Sequence, residues 1–495
     1  MSATSSEPTS RSQPIVTTDA GAIRGVWLGT AAAAFRGIPF AAPPIGALRW
    51  REAQPAAQWH DVLDATEFGP VCPQPVAPGA TTLPQSEDCL RLNVVTPDLG
   101  AQGLPVLFSI HGGAFVVGSG RYIADKDLSP IVRRGVVLVS ANYRIGRFGF
   151  FAHPALAAEA GHGTGNFWLS DQIAALNWVR RNIARFGGDP DSVTILGCSA
   201  GGSSVNAMLA AKKARGLFAR ACVHSGGGLF NAARPLATAE LQGVEFATRA
   251  GIAASDPDPL DKLRALSVPA VLEADPGPPD FGAIVDGHFL DRQIAMTFAR
   301  GEQARVPLIV GSTSNEASIF GMMGFDAQTL QSRFGVNLDE LRPVYEADSA
   351  LTEAELVRRV QTDFLFTSAS LALASLAART APTWSYHFAY VPEAQRETRP
   401  GASHCADMPY IFADDTRRTP ADNAVAARQQ DYWYNFIAHG DPNMAGLPDW
   451  PRAKPDAIAP LLIDEQNRIV PGLHGNVMAV WHERWQRENE EAILL

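Results

Sequence analysis

Cysteine is scarce in this chain. Five thiols among 495 residues are too few, and odd in number, for a disulfide scaffold. No Cys-x-x-Cys pair and no His-Glu-x-x-His occurs, which removes the commonest zinc sites. No Gly-x-x-x-x-Gly-Lys-Ser/Thr loop is present, so the simplest phosphate cradle is missing. No run is long and apolar enough to span a bilayer. Positive charge is sparse and scattered: 41 Lys and Arg face 51 Asp and Glu, a net charge of −10 that offers nucleic acid no footprint. Residues 1–13 are polar and expected to be disordered, and they lack the apolar core of a secretory signal, which points to the cytoplasm.

What is present is an ordinary globular composition, 46% hydrophobic. No repeat period and no linker divide the chain, so residues 14–495 read as a single domain. Apolar β-type runs at 104–110, 136–140, 193–196, 221–223, 306–310 and 384–391 each end in small or polar residues. Their near-continuous apolarity predicts strands buried on both faces. Between them Ile173, Leu176, Val179, Ile183 and Phe186 recur at helical spacing. That spacing predicts an amphipathic helix with Ser170 as N-cap, Asp171 in its first turn and Arg180, Arg181 and Arg185 on its polar side or C-terminal end. Strand, helix, strand in succession implies an α/β fold, a mostly parallel sheet flanked by helices. Residues 351–380 read as helical, part of an insertion over the sheet around 317–400.

One stretch carries chemistry. The run 193–196 leads into Gly197-Cys198-Ser199-Ala200-Gly201. Glycines two residues either side of Ser199 suit a strand that turns sharply into a helix and holds a hydroxyl at its tip. Such a hydroxyl is suited to attack a carbonyl carbon.

A serine needs a base, normally a histidine oriented by a buried carboxylate, and in sheets of this type the chain order is serine, acid, histidine. Glu316 fits the acid, since it follows the strand 306–310 in Gly311-Ser312-Thr313-Ser314-Asn315-Glu316. Asp286 is the rival, although Val285-Asp286-Gly287 looks like a turn. The histidines after Ser199 stand at 224, 288, 387, 404, 439, 474 and 482. His387 lies within a strand and reads as packed, whereas His404 lies in a small-residue loop after that strand and is favoured. The tetrahedral intermediate needs backbone donors. Gly113 and Ala114 follow the strand 104–110 in His111-Gly112-Gly113-Ala114-Phe115, and with Ala200 they are the natural candidates.

With these motifs assembled, the chain resembles the type-B carboxylesterases of the α/β-hydrolase superfamily, most of all the bacterial para-nitrobenzyl-esterase group. The resemblance runs from about residue 15 to 485. It rests on Phe35-Arg36-Gly37-Ile38-Pro39-Phe40-Ala41-Ala42-Pro43-Pro44-Ile45-Gly46, on Glu87-Asp88-Cys89-Leu90-Arg91-Leu92-Asn93-Val94, on Asn142-Tyr143-Arg144-Ile145-Gly146, on the serine signature 186–201, and on Gly440-Asp441-Pro442-Asn443 with Trp450-Pro451. It implies Ser199 as nucleophile, Glu316 as acid, His404 as base, and Gly113, Ala114 and Ala200 as the oxyanion hole. It further implies that Ser225 supports the triad from behind, that no cofactor is needed, and that the partner is a small-molecule ester. A small-residue oxyanion stretch goes in such relatives with tolerance of bulky alcohols. The same resemblance admits carbamate or activated-amide hydrolysis, and a non-catalytic binding role known in adhesion members; the filled triad positions speak against the latter.

Three departures stand out. Cys198 replaces the glutamate usual before the nucleophile, which predicts a weaker preference for cationic substrates. The loop 73–88 has no aromatic residue to serve as a cation–π platform, so choline-ester cleavage is not expected. Trp168 and Arg91 replace commoner residues without an evident functional reason. Cys72 and Cys89 occupy positions that pair in secreted relatives and are expected to stay reduced in a cytoplasm. Cys198 and Cys405 each adjoin a triad position; buried, inert thiols are the default expectation, with a regulatory disulfide between the two as the alternative.

Overall fold

Alternating side chains along each strand send apolar groups to both faces of one sheet. Along Leu104–Ile110, Val106, Phe108 and Ile110 join one hydrophobic cluster while Leu107 joins the other. The computed structural model describes residues 12–76, 81–124, 128–227, 233–275, 281–322, 325–347 and 349–494. The expected N-terminal tail therefore lies almost wholly outside the described residues.

The main sheet has eleven strands. In chain order they are β1 (Val26–Trp27), β2 (Ala33–Pro39), β3 (Arg91–Thr96), β4 (Leu104–Ile110), β5 (Val137–Ala141), β6 (Gly188–Cys198), β7 (Arg220–His224), β8 (Leu308–Thr313), β9 (Thr383–Phe388), β10 (Leu461–Ile463) and β11 (Arg468–Ile469). Their spatial order is 11-10-9-8-7-6-4-5-3-2-1. Every pairing from β10 through β5 is parallel, and the antiparallel pairings lie at the two flanks. All six expected apolar runs are strands of this sheet.

Register matters here because it lines up the carboxyl ends. Ile110 pairs with Gly197, Cys198 pairs with His224, and His224 pairs with Gly311. The loops after β4, β6, β7 and β8 thus emerge side by side, where open α/β sheets collect their ligand sites.

Four helices bear on the region around these loops: α1 (Phe167–Asn182), α2 (Ala200–Ala210), α3 (Ser368–Ala378) and α4 (Pro420–His439). Helix α4 carries its own boundary signals. Thr419 and Asp422 form a capping box, Pro420 opens the first turn, and Gly440 closes the end at φ 78°. Helix α1 begins earlier than its sequence signals suggest, with Asn166 at its cap. Ser170 is not the N-cap, because its hydroxyl accepts the Ala53 N–H at 2.9 Å. Asp171 is buried and pairs twice with Arg144, at 2.7 and 2.8 Å, instead of serving the helix end. Tertiary partners prevail over the local capping preference. Among the described residues, helical segments follow β8 between Glu316 and Ala378, after which the chain re-enters the sheet as β9 and makes one short turn at Glu393–Gln395. Among the described residues no helix is long and apolar enough to cross a membrane.

Candidate active site

Ser199 stands between β6 and α2 with φ 60° and ψ −128°, a conformation that a serine tolerates only when its surroundings impose it. The glycines explain the turn. A Cβ on Gly197 would lie 2.3 Å from the carbonyl carbon of Gly201, and one on Gly201 would lie 2.2 Å from the carbonyl oxygen of Ile110. Neither position admits a side chain. The Ser199 N–H donates to the His224 carbonyl at 3.0 Å, which ties the elbow to the neighbouring strand.

The loop after β4 folds onto this elbow. A Cβ on Gly112 would meet the Cys198 carbonyl oxygen at 2.7 Å and the Ser199 Cβ at 3.2 Å. Gly113, Ala114 and Phe115 all have positive φ, at 112°, 54° and 60°. The Gly113 carbonyl accepts from the N–H groups of Val116 and Val117, which turns the loop back on itself. His111 anchors the base of the loop: its ring stacks on Tyr143, whose hydroxyl donates to the His111 carbonyl at 2.8 Å. Phe115 packs against Phe150 and Trp168, so Trp168 acts as a wedge beneath this loop. Arg91, the other unexplained departure, pairs with Asp88 at 2.6 Å.

Glu316 is fully buried just beyond β8. Its Oε1 accepts from the Ser225 hydroxyl at 2.7 Å and from the Thr313 N–H at 2.6 Å. Its Oε2 lies 2.5 Å from Nδ1 of His404. A carboxylate can only accept, so Nδ1 carries the proton and Nε2 of a neutral His404 presents a lone pair. That Nε2 is buried and has no hydrogen-bond partner. The His404 loop is zipped to the Glu316 loop: Asn315 N–H donates to the Ala402 carbonyl, Ala402 N–H to the Ser314 hydroxyl, and His404 N–H to the Ser318 hydroxyl, each at 2.9 Å. The ring of Phe366 meets His404 edge-on at 5.1 Å.

The structure therefore brings together Glu316, His404 and Ser225, and seats the Gly113–Ala114 loop on the Ser199 elbow. It does not bring in the rivals. Asp286 accepts the N–H groups of His288, Phe289 and Leu290 and caps a turn. His387 is buried within β9 with Nδ1 3.2 Å from the Ser312 hydroxyl, and burial first, then the neighbouring His474, hold it down to about 3.

The cysteines depart from expectation. Cys198 and Cys405 are not separate inert thiols but are joined by a disulfide, with Cα atoms 6.2 Å apart across 207 residues of sequence. The elbow and the His404 loop bring their Cα atoms to an ordinary bridging distance. Cys72, Cys89 and Cys222 are free and buried. Cys72 and Cys89 adjoin each other, and the contact with Cys72, then burial, push the Cys89 thiol up.

Sequence reasoning missed a second buried network directly behind the site. His224, adjacent to Ser225, places Nδ1 2.6 Å from Asp407 Oδ2, and the Tyr386 hydroxyl donates to the same oxygen at 2.6 Å. The Trp433 indole N–H donates to Nε2 of His224 at 3.0 Å. An indole only donates, so His224 is neutral with its proton on Nδ1. The spacing of Asp407 three residues after His404 is visible in the sequence, but its partners come from β7, β9 and α4 and no local pattern announces them.

Glu52, His162 and His288 also gather, with ligand atoms within 4.8 Å of one another. Their geometry is that of ion pairing. The two imidazoles stack face to face at 3.6 Å and 5°, so their lone pairs lie in parallel planes that cannot meet on one ion. The Lys213 ammonium sits against His288 Nε2 and 4.0 Å from Glu52.

Known proteins share this sequence pattern and this architecture. The family model described as the carboxylesterase family matches residues 12–481. A fumonisin B1 esterase of Sphingopyxis macrogoltabida is 34% identical over 88% of this chain and 84% of its own length. A para-nitrobenzyl esterase of Bacillus subtilis is 34% identical over 92% and 96%. Among solved structures, a PNB esterase superposes with a TM-score of 0.80 at 32% identity, over 93% of this chain and 98% of that one.

Proposed function

Because this chain belongs to the carboxylesterase family and shares the α/β-hydrolase fold of its solved relatives, we propose that it hydrolyses carboxylic esters with Ser199, His404 and Glu316 through an acyl-enzyme. The observation that carries the reading is the buried, unpartnered Nε2 of His404, on a ring whose Nδ1 is committed to Glu316. A lone pair kept free in a buried position serves a proton acceptor and little else. The Cys198–Cys405 bond joins the immediate neighbours of Ser199 and His404, which supports their working as one unit.

His404 Nε2 takes the Ser199 proton as Oγ attacks the ester carbonyl. The oxyanion is held by the N–H groups of Gly113, Ala114 and Ala200. His404 then hands its proton to the leaving alkoxide, and the alcohol departs. Water, deprotonated by the same nitrogen, attacks the acyl-enzyme and releases the acid. Glu316 holds the tautomer and stabilises the imidazolium, with Ser225 and Thr313 fixing its other oxygen.

Small residues at Gly112, Gly113 and Ala114 favour small to medium esters, bulky uncharged alcohols among them. Cys198, where relatives carry a carboxylate, gives a cationic alcohol no partner. The test is hydrolysis of para-nitrophenyl esters from acetate to decanoate, by wild type and Ser199→Ala. Activity lost by at least about 10⁴-fold in the variant is expected. Folded wild-type protein inert on every ester would move the substrate to a carbamate or activated amide; undiminished Ser199→Ala would remove the serine mechanism.

A further inference from the structure

The hydrogen bonds that hold His404 run to one side. Ala402, Asn315, His404 and Ser318 lace its loop to the Glu316 loop after β8, and Asp407 pins the following turn to His224 and Tyr386. These bonds fix acid to base. They reach the nucleophile only indirectly, through His224, whose carbonyl accepts the Ser199 N–H; Ser199 itself stands at the end of β6, two positions away from β8 across the sheet. The covalent tie between the two is the Cys198–Cys405 disulfide, one residue before Ser199 and one residue after His404. The backbone at the tie is conformationally committed, since Cys405 and Ser199, the residue after Cys198, have φ of 58° and 60°.

We propose that this disulfide is a positioning element of the active site and that its reduction switches turnover down. The inference rests on the assignment of Ser199 and His404 made above. Cys198 is buried while Cys405 is partly exposed, so a reductant reaches the bond from the Cys405 side. The thiolate of a dithiol attacks Cys405 Sγ and expels Cys198 as a thiolate, which takes up a proton. The second thiol of the reductant then displaces Cys405 and closes a cyclic disulfide. Two electrons and two protons pass to the cystine, leaving two protein thiols. The His404 loop then keeps its partner Glu316 but loses its covalent register with Ser199. Misplacement of a catalytic group by an ångström costs on the order of 10²-fold. Where disulfides occur inside cells they are mostly of this kind, catalytic or redox-responsive.

Thiol counting comes first. Alkylation of the denatured protein should label three cysteines before reduction and five after it, the three being the free ones of the structure. Folded enzyme treated with dithiothreitol should lose about 10- to 100-fold in kcat on a para-nitrophenyl ester with KM within about twofold, and reoxidation should restore it. The Cys198→Ala/Cys405→Ala double variant should show the lowered kcat and no response to dithiothreitol. Five labelled thiols before reduction, an unchanged kcat in reduced wild type, or a double variant as fast as the oxidised enzyme would each overturn the proposal. Ser199→Ala assayed beside them separates the two readings. If it is inactive while reduction changes nothing, the disulfide proposal alone fails; if it is fully active, the assignment of the nucleophile has failed.

Discussion

Ser225 donates its hydroxyl to Glu316 Oε1 across 2.7 Å, so the carboxylate oxygen that His404 does not use is already satisfied. The pair is wholly buried, and the bond strengthens the carboxylate as a fixed negative partner for the imidazolium. Ser225→Ala should lower kcat by about tenfold and leave KM unchanged, the size expected for one hydrogen bond to a charged group felt in the transition state. Steady-state kinetics on a para-nitrophenyl ester decide it; an equal rise in KM would place Ser225 in substrate binding instead.

The approach of Gly112 to the elbow gives a steric prediction. A methyl group there meets the Cys198 carbonyl at 2.7 Å and must push the Gly113–Ala114 loop away from Ser199. Gly112→Ala should keep the fold and lower kcat by about 10²-fold, comparable to losing one oxyanion donor. A near-normal kcat in a folded variant would mean that the loop does not hold the oxyanion.

Asp407 anchors the second network. Asp407→Ala removes the acceptor shared by the Tyr386 hydroxyl and the His224 Nδ1–H, and leaves Nδ1–H only the Tyr386 oxygen at 2.8 Å. Stability should fall by about 1–3 kcal/mol, the cost of one orphaned buried donor. Denaturant unfolding monitored by tryptophan fluorescence measures it. A loss below about 0.5 kcal/mol would show that water replaces the carboxylate.

His387 sets a pH signature. Held down to about 3 in the native state against an ordinary 6.5, it stays neutral while the unfolded chain takes up the proton. The unfolded state thus binds more protons between these values, and stability falls as pH drops below 6.5, by about 1.4 kcal/mol per pH unit for this group. His387→Asn should remove that share of the slope between about pH 6 and 4. His474 has the opposite sign. Burial disfavours its charge, but the hydrogen bond and charge of Asp363, 3.0 Å away, prevail and raise it. Its contribution is complete below pH 6.5 and lost as pH rises through the raised value. Asp363→Asn should abolish this alkaline loss. Unfolding curves across about pH 4–9 in which neither variant changes the slope would refute both assignments.

The legible parts of this molecule are those written in short stretches of chain. The run 104–110 is a strand over those same residues, because apolar side chains fill both of its faces and the small residues after Ile110 end the pattern. The elbow was legible because backbone collisions within five residues demand its glycines. Ser225 was found only through family resemblance, since a serine after a histidine has no local meaning. Ser170 and Asp171 misled because their capping chemistry is identical to the chemistry that Ala53 and Arg144 exploit from elsewhere. The Cys198–Cys405 bond was only the lesser of two readings of the sequence, for pairing depends on a separation of 6.2 Å that only the assembled sheet creates.

The sequence separation of 207 between the two bridged cysteines also sets an order in time. Ser199 leaves the ribosome well before Glu316, and His404 comes last of the three. A growing chain can therefore present an elbow with nothing to activate it. On the proposed roles of Ser199, Glu316 and His404, hydrolysis is expected only after the greater part of the protein has been made, and a product truncated before His404 is expected to be silent.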